Sequence, residues 1–263
     1  MQDGGIPEAS GSPIVNAQTP EQRLQNAIER LYQVFARYDA YSGQACPCCA
    51  DHEDHERLRS KPLRELTLED LADYSSKALL TWGTVEDFKH FLPRMYELLA
   101  HHPNSWLVLP EAIVGKLSLA EWRDWEPDEQ SAVEEFLYAW WEHTLATLPE
   151  FRKTIDTDEF LRSIEPVIEI RPFLEIWRRT ESPTAVYRLA ELLYDNFQSR
   201  LSRRLHILDA QNDVFLQWLL EAETLAHLER ALDRYYANDP FPDHEFVDLL
   251  AYAIDRLIWL RCR

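Results

Sequence analysis

The sequence predicts an all-α protein, a multi-helix bundle or a short irregular α-solenoid of about eight to ten helices. Three observations predict it. Apolar residues recur at three-and-four spacing through most of the chain, the period of helices with one buried face. Helix-start signals recur as well: a hydroxyl or acidic residue followed by proline, or by an acidic or amide residue three positions on. Only six glycines are present, and the fifteen prolines fall mostly at helix starts or between helices, whereas a sheet protein with many turns needs more glycine.

Residues 1–18 are Gly, Ser, Pro and small polar residues and read as a disordered tail, leaving 19–263 as a single helical domain. Thr19-Pro20 opens the first helix, Gln22 completes its capping box, and Leu24, Ala27, Ile28, Leu31, Val34, Phe35 and Tyr38 form its apolar stripe. Residues 39–64 read as irregular and hold the cysteines and the acidic run DHEDHE. The stretch from Glu65 to His102 then reads as two helices and a tight turn. Thr67 with Asp70, and Thr84 with Asp87, are capping boxes with Asp in place of the usual Glu. Gly83, after Trp82, marks the end of the first of these helices, because glycine adopts the left-handed conformation cheaply. Leu68, Leu71, Ala72, Ser75, Ala78, Leu79 and Trp82 share one face of that helix. Val85, Phe88, Phe91, Leu92, Met95, Leu98 and Leu99 share one face of the next, where Pro93 predicts a kink or a break.

His101-His102-Pro103-Asn104 ends that helix, and a short apolar piece runs from Trp106 to Val114. Ser118 with Glu121 predicts another helix start. Glu126-Pro127-Asp128 starts a longer helix, which carries Trp140 and Trp141 and ends near Pro149. Short helices follow over 157–165 and 170–180. Ser182-Pro183 begins a helix with Val186, Leu189, Leu193, Phe197 and Leu201 on one face. From about 211 a helix buries Val214, Phe215, Trp218, Ala222, Leu225, Leu228, Leu232 and Tyr235 and stops at Asn238-Asp239-Pro240; the last begins near Asp243. The best strand candidate, Val167 to Ile170, is only four residues between two prolines. No fixed-period repeat supports a regular solenoid array.

The net charge is −19, from 46 acidic and 27 basic residues, which repels phosphates and argues against nucleic acid. The local exception is Arg178, Arg179, Arg188, Arg200, Arg203 and Arg204, read first as a solvated, salt-bridged face and second as a groove for an anion. An acidic surface suits a basic protein partner. No apolar run of about 18 residues offers a membrane span, and the N-terminus has no signal-peptide pattern. With four cysteines, three of them crowded together, a disulfide framework is not expected, and the cytoplasm is the expected compartment.

One group in the chain has ligand chemistry: Cys46, Cys48 and Cys49, with His52 and His55 following. Zinc takes four thiolate or imidazole ligands in a tetrahedron, and five candidates fall here within ten residues. The spacing departs from two separated pairs, so one short loop would have to wrap the ion, with Cys262 a distant fourth thiol. The first reading is packing, as for most free cysteines; a zinc site is the second and a redox thiol pair the third. No other cofactor is expected. Asp87 and His90 read as a cap and a core-edge histidine, and without any Glu-x-x-His a di-iron site is unsupported. Glu142-His143 and Glu223 with His227 read as surface pairs. No phosphate-binding glycine loop, nucleophile elbow or HExxH is present, so an enzyme is not the favoured reading.

The segment CPCC followed by KALLTWGTVEDFKHFLPRMYELL resembles a group of uncharacterised bacterial helical proteins over roughly residues 30–100. That group has no assigned activity. The resemblance therefore implies a bacterial, soluble helical protein and gives no catalytic residues. The function expected from the whole sequence is binding of a protein partner, adaptor-like or immunity-like. The alternative is structural zinc binding by Cys46, Cys48, Cys49, His52 and His55, with an unrecognised enzyme third. Oligomeric state is not legible.

Overall fold

The computed structural model describes residues 18–39, 41–102, 109–147, 155–198, 214–238 and 244–262. The chain is all-α: among these residues no strand forms, and the only β-type pairings are isolated bridges from Trp82 to Ala45 and Ala78. In order the helices are α1 (Pro20–Phe35), α2 (His52–Arg59), α3 (Leu68–Lys77), α4 (Val85–His101), α5 (Pro110–Val114) and α6 (Lys116–Leu119). They continue as α7 (Pro127–Ala146), α8 (Thr157–Ile164), α9 (Arg171–Arg179), α10 (Pro183–Gln198), α11 (Val214–Leu220), α12 (Ala222–Asn238) and α13 (His244–Arg261). Short 3-10 turns lie at Leu63–Glu65 and Trp122–Asp124.

α1 lies along α7 and against α4, α5 against α8, and α10 and α12 against α13. The buried side chains form one continuous cluster from Leu24 to Leu257. Trp122, Trp125, Trp140 and Trp141 all belong to it, as their helical spacing predicts. A buried indole usually finds a partner for its N–H: Trp141 Nε1 donates to the Phe173 carbonyl and Trp177 Nε1 to that of Ala185, both at 2.8 Å.

Several sequence expectations are corrected. The acidic run at 51–56 is not irregular but opens α2, because Asp51 and Asp54 form a reciprocal capping box. α3 stops at Lys77, well before Trp82. Ala78 is extended and Leu79 takes φ +62°, and the N–H groups of Leu80, Thr81 and Trp82 all return to the Lys77 carbonyl. Gly83 is left-handed as expected, at φ +81°, but closes this loop rather than the helix. α4 runs unbroken through Pro93, which is itself buried among the core side chains that hold the helix. Ser118 caps nothing: its hydroxyl donates to the Pro166 carbonyl, and Glu121 sits at φ +50°. Val167 to Ile170 forms turns. The helix expected from about 211 is two, divided at Glu221.

Arg171 and Arg178 both clamp Glu175 and Glu221, and Arg188 is buried with its guanidinium on the carbonyls of Thr147 and Ile155. His227, expected at the surface, is fully buried. Residues 1–17 of the expected tail, 106–108 of the apolar piece (which continues into α5), and Pro149, Arg200, Leu201, Arg203, Arg204, Asp239 and Pro240 lie outside the described residues.

Candidate metal site

The thiol turn is assembled from both sides. Asp87, fully buried, accepts from the Ser42 N–H at 2.6 Å and from its hydroxyl at 2.5 Å while also capping α4 with Thr84. One carboxylate thereby fixes the start of a helix and the segment that leads into the cysteines. The Gly83 N–H donates to Gln44 O (2.7 Å) and the Cys46 N–H to Thr81 O (2.8 Å), an antiparallel bridge that ties the cysteine segment to the loop after α3. The turn itself closes by Cys49 N–H to Cys46 O at 2.8 Å, with Pro47 inside it. Proline suits that position because its fixed φ pre-sets a turn. From α3, the Lys77 ammonium donates to the Cys49 carbonyl at 3.0 Å. From below, Trp82 Nε1 donates to the Tyr41 hydroxyl, whose ring stacks on His55.

Cys46, Cys48 and Cys49 bring their Sγ atoms within 4.8 Å of one another, the one such group of potential metal ligands among the described residues. Cys46 and Cys48 are 2.8 Å apart and Cys48 and Cys49 3.8 Å. Cys48 is exposed and its two neighbours half-buried, so the group opens to solvent. A hydrogen bond from the Cys48 thiol, helped by the N–H groups of Cys48 and Cys49, holds Cys46 below the usual thiol range. The same contact with Cys46, with Cys49 adding to it, pushes Cys48 up to about 11. Of the pair, Cys46 is therefore the readier to ionise, with the Cys48 thiol as its donor.

The structure does not add the two histidines to the group. His52 is exposed at the first position of α2, and His55 turns its Nδ1 to the Tyr41 hydroxyl at 2.6 Å, edge-on to Trp82. Cys262 is exposed near the end of α13 and belongs to no such group. His90 is a core-edge histidine, its Nδ1 on the Tyr38 carbonyl. Lys77, Tyr41 and the second task of Asp87 were missed from the sequence, since each acts on a segment remote along the chain and leaves no local spacing.

The thiols fit a thiophilic ion. A tetrahedral zinc with Zn–S bonds of about 2.3 Å sets its sulfurs about 3.8 Å apart. Cys48 and Cys49 already stand at 3.8 Å, and Cys46 and Cys48 need to part by about 1 Å on an exposed turn. No protein-family model, curated protein or solved structure matches this chain.

Proposed function

We propose that the protein binds a thiophilic metal ion, zinc in the first instance, at Cys46, Cys48 and Cys49. The observation that carries this reading is the convergence of three Sγ atoms within 4.8 Å on a turn held from two sides. Soft thiolates select zinc or monovalent copper over hard cations. All three ligands lie in one turn, so the ion closes only a very short loop and adds little to the stability of the fold. The site binds and presents an ion rather than holding the protein together. The fourth position falls to a group outside the cluster, either exposed His52 or a solvent molecule.

The test is equilibrium dialysis against buffered free zinc, read by mass spectrometry on the folded protein. About one ion per chain is expected, with proton release as the thiols ionise. Cys48→Ser should abolish binding and leave stability in metal-free buffer within about 0.5 kcal/mol of the parent, as for an exposed substitution. His52→Ala weakens zinc if the imidazole is the fourth ligand and leaves it unchanged if water is. No ion retained at micromolar free zinc would return the cysteines to packing or redox roles.

A second reading is action through a basic protein partner, supported by the net charge of −19. It expects association with such a partner to slow as salt is raised.

A further inference from the structure

Cys46 and Cys48 flank Pro47 in the thiol turn, and their Sγ atoms stand 2.8 Å apart, closer than the 3.8 Å between Cys48 and Cys49. A disulfide needs about 2.05 Å between its sulfurs and a Cα separation of about 4.4–6.8 Å. Cys48 and Cys49 fail the second condition, since adjacent Cα atoms across a trans peptide lie only about 3.8 Å apart. Cys46 and Cys48 are two residues apart, and their sulfurs need to approach by only about 0.8 Å. The backbone is pinned by the Cys49 N–H on Cys46 O and the Cys46 N–H on Thr81 O, so that movement falls to side-chain torsions. Both are free cysteines within reach of solvent, Cys48 exposed and Cys46 half-buried.

The metal pulls the other way. A zinc tetrahedron sets its sulfurs about 3.8 Å apart, so Cys46 and Cys48 have to separate by about 1 Å to hold the ion. Their present spacing lies between two end states that exclude each other.

We propose that Cys46 and Cys48 form a dithiol that reduces small disulfides and, in doing so, closes the metal site. The exchange stands on the sulfur geometry, whereas its competition with zinc rests on the metal reading. Cys46 Sγ, as thiolate, attacks a disulfide RSSR, forming a Cys46–S–R bond and expelling RS⁻. Cys48 Sγ then gives its proton to solvent and attacks Cys46 Sγ, forming the Cys46–Cys48 bond and expelling the second RS⁻. The two expelled thiolates take up the two protons that the cysteines lost, so one disulfide is reduced and one is formed.

The experiment incubates the metal-free full chain with oxidised glutathione and blocks the remaining thiols with N-ethylmaleimide. Mass spectrometry then reads the tryptic peptide 38–57, which holds all three cysteines. The peptide should be lighter by two hydrogens and carry one maleimide, on Cys49. Its glutathione adduct should stay below about a tenth of the chain, because closure is intramolecular. Cys48→Ser, checked for an unchanged melting profile, should instead trap glutathione on Cys46, and Cys49→Ser should still close. Zinc-saturated protein should close at least about tenfold more slowly. A maleimide on Cys46 or Cys48 of the oxidised parent, or glutathione that persists there as it does on Cys262, overturns the exchange. If zinc is retained and closure is no slower, the competition is wrong although the metal site stands. If no zinc is retained and the bond still closes, the exchange stands and the metal reading alone fails.

Discussion

His227 sits fully enclosed on α12, and neither ring nitrogen meets a hydrogen-bond partner. Burial is the main reason its pKa falls to about 4; Arg230 and Arg234 push the same way and Glu181 opposes them. The unfolded chain takes up a proton near pH 6.5, the folded one only near 4. Above 6.5 both states are neutral and this residue gives stability no pH slope. Between 6.5 and 4 the unfolded state binds the proton alone, so stability drops as the solution is acidified, by roughly 3 kcal/mol in all. Urea titrations at pH 7 and pH 5 check it: His227→Leu should lose about 2 kcal/mol less than the parent between them. An equal loss in both proteins would place the acid sensitivity elsewhere. The buried stripe of α12 is Thr224, His227, Leu228 and Ala231, whereas the sequence offers Leu225, Leu228, Leu232 and Tyr235 as the more apolar choice. Those two faces differ by about one residue, some 100° of rotation. The structure packs both, with Leu225 and Leu232 half-buried against the core beside the fully buried Thr224, His227 and Leu228.

At the scale of elements, what was legible was chemistry confined to one turn of chain. The boxes at Thr19/Gln22, Thr67/Asp70 and Thr84/Asp87 all form, because a cap needs only residues three apart. The box at Asp51/Asp54 follows the same rule, and the charge density of DHEDHE obscured it. The end of α3 was not legible. It depends on Trp82 leaving the helix to pair with Ala45, a contact across nearly forty residues. Gly83 carries the cost of that exit. A Cβ there would meet the Tyr74 hydroxyl at 3.1 Å and the Asp87 Cβ at 3.2 Å, on a backbone at φ +81°. Gly83→Ala should therefore destabilise the protein by about 1–2 kcal/mol from the left-handed backbone alone, more if Tyr74 cannot move. Thermal unfolding measures it; a neutral effect would mean the loop re-forms with another φ.

Over the whole molecule, helical class followed from periodicity and punctuation, since helix formation and burial of one face are written along the chain. Buried charge was not. Glu129 is fully enclosed and receives Lys89 at 2.8 Å, together with Arg37 and Tyr38, so the junction of α1, α4 and α7 contains a satisfied ionic knot. Lys89 also lies over the Trp125 ring at 4.4 Å. Nothing in a sequence marks a lysine on α4 for a glutamate forty positions on. The thiol group was legible as a cluster, and the separation of its histidines was not, because Tyr41 takes the His55 nitrogen from outside the motif. No helix among the described residues is long and apolar enough to cross a membrane.

The bridge between the cysteine segment and the loop after α3 makes two backbone protons into reporters. The amides of Cys46 and Gly83 are each held by a carbonyl of the opposite segment, and both exchange with solvent only when the two segments part. An ion gripped by the turn would stiffen one side of that hinge, so opening would become rarer on both. Deuterium uptake at Gly83, a residue with no ligand atom of its own, should slow when zinc is added and not when Cys48 is serine. A backbone proton more than thirty residues along the chain would then register the ion's arrival as a change in how often the hinge opens.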